Sequence, residues 1–193
     1  MTSTQTPPGR QRRFVPGQPD MWAFVLFETL LFTTYFAVYL FSRARKEEMF
    51  LQAQSQLELW VGVLNTIVLL TSSWSIARCV QAARAGNYRV ALGNAVLTAG
   101  LGVLFLVSKV AEWVRLIRMG NTLTTNDFFM HYFFLTGLHC LHLIIGFVVL
   151  GVIVYQLRGP ARRSQELIET AATYWHTVDF LWVLIFAMLY VVR

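Results

Sequence analysis

The chain has 193 residues, 56% of them apolar and only 13% charged, with a mean hydropathy of +0.53, a balance that excludes an ordinary soluble domain. A net charge of +6 would suggest nucleic acid in a soluble chain. Here the basic residues gather at the ends of apolar runs and in short loops, where a membrane surface accounts for them, so no nucleic-acid partner is expected.

Residues 1–20, MTSTQTPPGRQRRFVPGQPD, are polar, basic and rich in proline and glycine, and read as a disordered cytoplasmic tail. They lack a short apolar core followed by a small-residue cleavage site, so no removable signal peptide is expected. Five apolar runs follow, at about 21–42, 59–83, 90–118, 127–156 and 174–192. Each has the roughly 20 residues a membrane-spanning helix needs. Each is apolar most of the way round, whereas the alternating segments of a membrane β-barrel are absent. The predicted fold is all-α: a polytopic bundle of five transmembrane helices forming one domain over 21–193.

Short loops leave no room for a second domain. The first of them places Met49, Phe50, Ala53 and Leu57 near one helical face and predicts an amphipathic helical piece. No internal repeat or pair of broken helices marks a secondary transporter. Glycines within the spans let neighbouring helices approach closely, and Trp22, Trp60, Trp113, Trp175 and Trp182 are expected to form mainly an interfacial aromatic belt. Cys79 and Cys140 read as small buried thiols rather than as a disulfide framework or copper site. If loops alternate sides, nine basic residues lie on the side of the N-terminus and six on the other. That asymmetry predicts the N-terminus in the cytoplasm and the C-terminus outside.

Ionisable groups at membrane depth need a partner or a task. With that orientation, Glu28, His139, His142, His176 and Asp179 are expected to form an inner polar layer. Lys109, Glu112 and His131 would lie nearer the outer face, with Lys109 and Glu112 spaced i,i+3 so that each can neutralise the other. Two histidines and two carboxylates could ligate a metal. Interhelical hydrogen bonding with a carboxylate is the plainer reading, because His139 and His142 form only a bare i,i+3 pair. Four histidines are too few to hold two haems and a copper, and no phosphate loop, nucleophile elbow or HExxH occurs. No metal or cofactor is therefore expected on this chain. Glu28 as a buried anchor and Glu28 as a proton carrier remain alternatives, the latter leading to an independent proton or small-solute transporter.

Four segments carry a resemblance. LNTIVLLTSSWS (64–75), FLVSKVAEW (105–113), TGLHCLHLIIG (136–146) and YWHTVDFLW (174–182) occur in the order of corresponding segments in subunit III of the haem-copper oxidases, which the chain resembles over nearly all its length after the tail. Glu28 falls where that family has a lipid-buried glutamate. Five spans match its short form, which lacks the first two helices of the seven-helix subunit. PGQPDMWAFVLFE, QAQSQ and Lys109 in KVAEW look most like the relatives encoded with bacterial nitric oxide reductases.

The resemblance implies an accessory, non-catalytic subunit in a hetero-oligomer in the bacterial plasma membrane. Its partner would be a haem-copper catalytic subunit, carrying haem with copper or non-haem iron and supplied with electrons by cytochrome c or quinol. Phospholipid held between helices, support for proton uptake and stabilisation of the catalytic subunit are further implications. His139 and His142 would then satisfy Glu28, Asp179 and lipid head groups without binding metal.

Overall fold

A computed structural model describes residues 19–159 and 164–192. Most of the tail lies outside the described residues; the first helix begins at Pro19, a position where the missing N–H of proline costs no helical hydrogen bond. The elements are α1 (Pro19–Arg45), α2 (Glu47–Gln54), α3 (Leu59–Arg84), α4 (Tyr88–Arg118), α5 (Asp127–Arg158) and α6 (Gln165–Phe186). The last of these continues as a π-helical turn, Ala187–Val191. Among the described residues there is no strand, and five helices are long and apolar enough to cross a membrane. The amphipathic piece is α2, which buries Phe50 and Ala53.

Helix α6 differs from the apolar run that marks it, beginning nine residues earlier than 174. Ser164 accepts a hydrogen bond from the Leu167 amide at 3.3 Å and starts the helix, and Arg84 holds Glu169 within its first turns. Apolarity reports where a helix meets lipid; capping reports where it starts. Asn87 and Asn126 cap α4 and α5 in the same way, accepting from Val90 and Phe129. Two glycines close the preceding helices: Gly86 at φ 73° and Gly120 at φ 87° adopt the left-handed conformation that ends α3 and α4.

Helices α3 and α4 form an antiparallel hairpin with an unusually regular seam. Buried residues recur at spacings of three and four along α3 (Gly62, Asn65, Leu69, Ser72, Ile76, Cys79, Ala83) and α4 (Ala91, Ala95, Thr98, Gly102, Phe105, Lys109, Glu112, Leu116). Many are small, as close packing in a membrane requires. Helix α6 lies along this hairpin and α5. An added Cβ at Gly62 would stand 2.8 Å from a Phe186 ring carbon and 2.9 Å from one of Tyr190, so only glycine admits α6 there.

Helix α1 is peripheral, with only 17% of its apolar window buried against 50% for α6. Its far end is nevertheless tied down. The Tyr39 hydroxyl donates to Met188 O at 3.1 Å, Arg43 donates to Val192 O, and Gln54 of α2 donates to Leu189 O and Val192 O at 3.1 and 3.0 Å. These donors meet carbonyls at the end of α6 that a helix terminus leaves unpaired.

Candidate functional site

Two centres stand out among the polar side chains at membrane depth, with His131, His139, His176 and Asp179 apart from both. The first lies between α4 and the end of α6. Lys109 is fully buried, and its Nζ donates to Glu112 Oε2 at 2.6 Å and to the Tyr190 hydroxyl at 2.8 Å. Tyr190 donates in turn to Glu112 Oε1 at 2.7 Å, closing a triangle in which both carboxylate oxygens have a donor. The ammonium also lies 4.7 Å from the ring centroid of Trp182 and 5.1 Å from that of Tyr190. Aromatic faces are favourable neighbours for a desolvated cation. The i,i+3 spacing anticipates the ion pair, whereas Tyr190 comes from 78 residues beyond Glu112 and leaves no local sign.

The second centre joins α1 to α5. His142 Nε2 lies 3.1 Å from Glu28 Oε2, but off the line of a hydrogen bond, so that Oε2 remains without a hydrogen-bond partner. His142 Nδ1 is 2.8 Å from Leu138 O, and since a carbonyl only accepts, Nδ1 carries a proton. The Tyr174 hydroxyl donates to His142 O at 3.0 Å, bringing α6 to the same place. Pairing His142 with an ionised Glu28 then requires a second proton on the ring.

The remaining residues of the expected inner layer do not join this pair. Asp179 faces α3, where Ser72 donates to its Oδ2 at 3.4 Å while Oδ1 has no partner. His176 Nδ1 lies 2.6 Å from Ser73 Oγ, and Trp175 donates to Ser72 at 2.9 Å. His139 is fully buried between the rings of Phe105 and Trp182, with neither ring nitrogen hydrogen-bonded. His131 faces α1 and α2 rather than Lys109 and Glu112, lying 3.1 Å from the Tyr35 hydroxyl among the rings of Tyr35, Tyr39 and Phe50. Depth along a helix does not fix azimuth: each of these residues faces a different neighbour. Trp175 and Trp182 likewise depart from the aromatic belt, being fully buried and donating to Ser72 and Thr66.

Among the described residues no three His, Cys, Asp or Glu side chains cluster closely enough to hold a metal ion. Most of the polar groups bridge helices, as Ser73 with His176 and Lys109 with Tyr190 do. Fold and site together define a multi-pass helical membrane protein whose buried charges hold its helices together. A family model, cytochrome c oxidase subunit III, matches residues 18–192, and the chain belongs to that family. Its members are accessory, non-catalytic subunits of haem-copper oxidases. The chain is 31% identical over 171 residues to cytochrome c oxidase subunit 3 of Thermostichus vulcanus, covering 87% of this chain and 83% of that one. It is 33% identical over 183 residues to subunit 3 of Synechocystis sp., covering 90% and 77%. It is also 30% identical over 185 residues to a protein of Aeropyrum pernix named heme-copper oxidase subunit I+III, covering 89% of this chain and 22% of that longer one. The reading as an independent transporter gains no support from these relatives.

Proposed function

We propose that this subunit packs against a haem-bearing subunit I in the bacterial plasma membrane, with its N-terminus in the cytoplasm, and stabilises it while holding phospholipid. The observation that carries the reading is the peripheral α1. Its bundle-facing side brings Glu28 to His142, and its opposite side exposes Leu26, Phe27, Leu30 and Phe41. A helix so thinly covered within its own chain has surface left for lipid and a partner. The name of the Aeropyrum protein, subunit I+III, supports such a partner. Glu28 and His142 would keep α1 seated and support proton uptake by the neighbour, while Asp179, His176 and His139 hold α6 and the core. Oxygen reduction by the complex is favoured by the oxidase names of the relatives. Nitric oxide reduction is the second reading, suggested by Lys109 in KVAEW.

The test is a tagged pull-down from gently solubilised membranes, with mass spectrometry of partners and a reduced-minus-oxidised haem spectrum. A haem-bearing subunit I in the eluate is expected, and its metal content separates oxidase from nitric oxide reductase. Recovery of the chain alone, without haem, in a detergent that keeps other respiratory complexes intact would overturn the proposal.

A further inference from the structure

A groove of about 260 Å³ opens between the end of α3 and the beginning of α6, away from both polar centres. Its polar lining includes Arg84, Glu169, His176 and Gln81. Glu169 is 5% exposed, and only one of its oxygens is used: Oε1 accepts from Arg84 Nε at 2.9 Å and from Gln165 Nε2 at 2.8 Å. Its Oε2 is buried and has no hydrogen-bond partner. A carboxylate oxygen buried without a donor is costly, and a donor from outside the chain would offset the cost. The Arg84 side chain beside it is 55% exposed, so the groove offers a cation at its rim and an unsatisfied anion within.

Further along α3, Ile67, Leu70, Thr71 and Trp74 line a second hollow of about 290 Å³, apolar apart from the Thr71 hydroxyl and the Trp74 indole N–H. Ile67, Leu70, Trp74, Ala77, Gln81 and Arg84 recur at spacings of three and four and therefore share a helical stripe. Trp74 is 61% exposed and stands near the middle of its span, away from the interfacial levels where exposed tryptophans usually lie. From Ala77 to Ile67 the stripe runs about 15 Å, half of a hydrocarbon core about 30 Å thick. The polar groove is at the helix end, where a helix of 26 residues reaches past that core into the head-group region.

We infer that this stripe is a binding site for one membrane phospholipid with a zwitterionic, amine-bearing head group, its phosphate on Arg84, its ammonium toward Glu169, and an acyl chain over Ala77, Trp74, Leu70 and Ile67. The charges select the class. Arg84 and Glu169 together are neutral, so a head group of paired opposite charges matches them, whereas an anionic head group brings an unbalanced charge and offers Glu169 at most a neutral hydroxyl. The inference rests on the lipid-holding reading above and gives it a place and a chemistry.

The test uses the purified full chain in mild detergent, offered equal amounts of phosphatidylethanolamine and phosphatidylglycerol with matched acyl chains, and read by native mass spectrometry. Phosphatidylethanolamine adducts are expected to exceed phosphatidylglycerol adducts roughly tenfold, the value of one charge-assisted hydrogen bond. E169Q should bring the ratio near parity, whereas R84Q should lower the adducts of both lipids several-fold. Equal binding in the wild type, a preference that survives E169Q, or unchanged binding of both lipids in R84Q overturns the assignment. A photoactivatable phosphatidylethanolamine, labelled in its acyl chain, tests the place without any variant: crosslinks at 67–74 are expected. Crosslinks elsewhere, or none on this stripe because an apolar segment of a co-purified protein covers it, would overturn it. The pull-down reads the partner and these experiments read the lipid, so either result can fail alone.

Discussion

The Lys109 centre and the Glu28–His142 centre place similar groups at membrane depth and finish them differently. Around Lys109 every charge is answered: two donors reach the two oxygens of Glu112, and aromatic rings flank the cation. Around Glu28, a contact of 3.1 Å leaves Oε2 without a hydrogen bond, and the helix that carries it has little cover. A closed network locks a packing; an open one leaves capacity for something outside the chain. The first centre therefore serves the bundle, and we assign the second to the partner.

Substitutions can break that contrast. K109M leaves the Glu112 carboxylate buried without its cation, and the expected loss is about 3–5 kcal/mol, seen as a large fall in folded yield and thermal midpoint in detergent. Adding E112Q to K109M should recover more than half of that loss, because it removes the stranded charge. No recovery would mean that the pair acts outside the bundle.

G62A tests the same centre through packing. Its new methyl group meets Phe186 and Tyr190 at 2.8 and 2.9 Å, and the expected cost is roughly 1–3 kcal/mol. If the melting temperature stays unchanged, α6 is less tightly docked than described.

H142A should act mainly on the complex. The isolated chain is expected to lose about 1–2 kcal/mol, while recovery of subunit I in the pull-down falls several-fold. The reverse ranking, a severe loss of fold with intact assembly, would erase the distinction between the centres. Metal analysis of the isolated wild type should find no stoichiometric ion; one ion per chain, lost in H142A, would make this pair a ligand site instead.

W182F comes last. Removing the Nε1 donor to Thr66 and replacing the buried indole by a smaller phenyl ring should cost about 1–2 kcal/mol in the same melting assay.

Much of this was legible in the sequence because lipid imposes a simple condition: a spanning segment must be long, apolar and helical. The five spans and the amphipathic α2 follow from that condition, and the Lys109–Glu112 pair follows from helical spacing. What stayed hidden depends on azimuth and on distant partners. His139 and His142 are three residues apart, yet one faces Phe105 and Trp182 and the other faces Glu28. Trp175 and Trp182 look like belt residues by position, but each points its Nε1 at a hydroxyl on α3. Glu169 precedes the apolar run and carries no local sign of its burial, although its helix begins at Gln165, its side chain lines the groove and one of its oxygens is unpaired.

The regular seam of the α3–α4 hairpin also bears on the order of folding. Its two helices are joined by a tight turn at Gly86 and meet through contacts close in sequence, the kind that form fast. Yet Ser72 awaits Trp175, and Lys109 and Glu112 await Tyr190, all carried by the α6 segment. During synthesis the early hairpin therefore waits in the bilayer with polar groups incompletely served. Arrival of the α6 segment supplies those partners and closes the bundle around them.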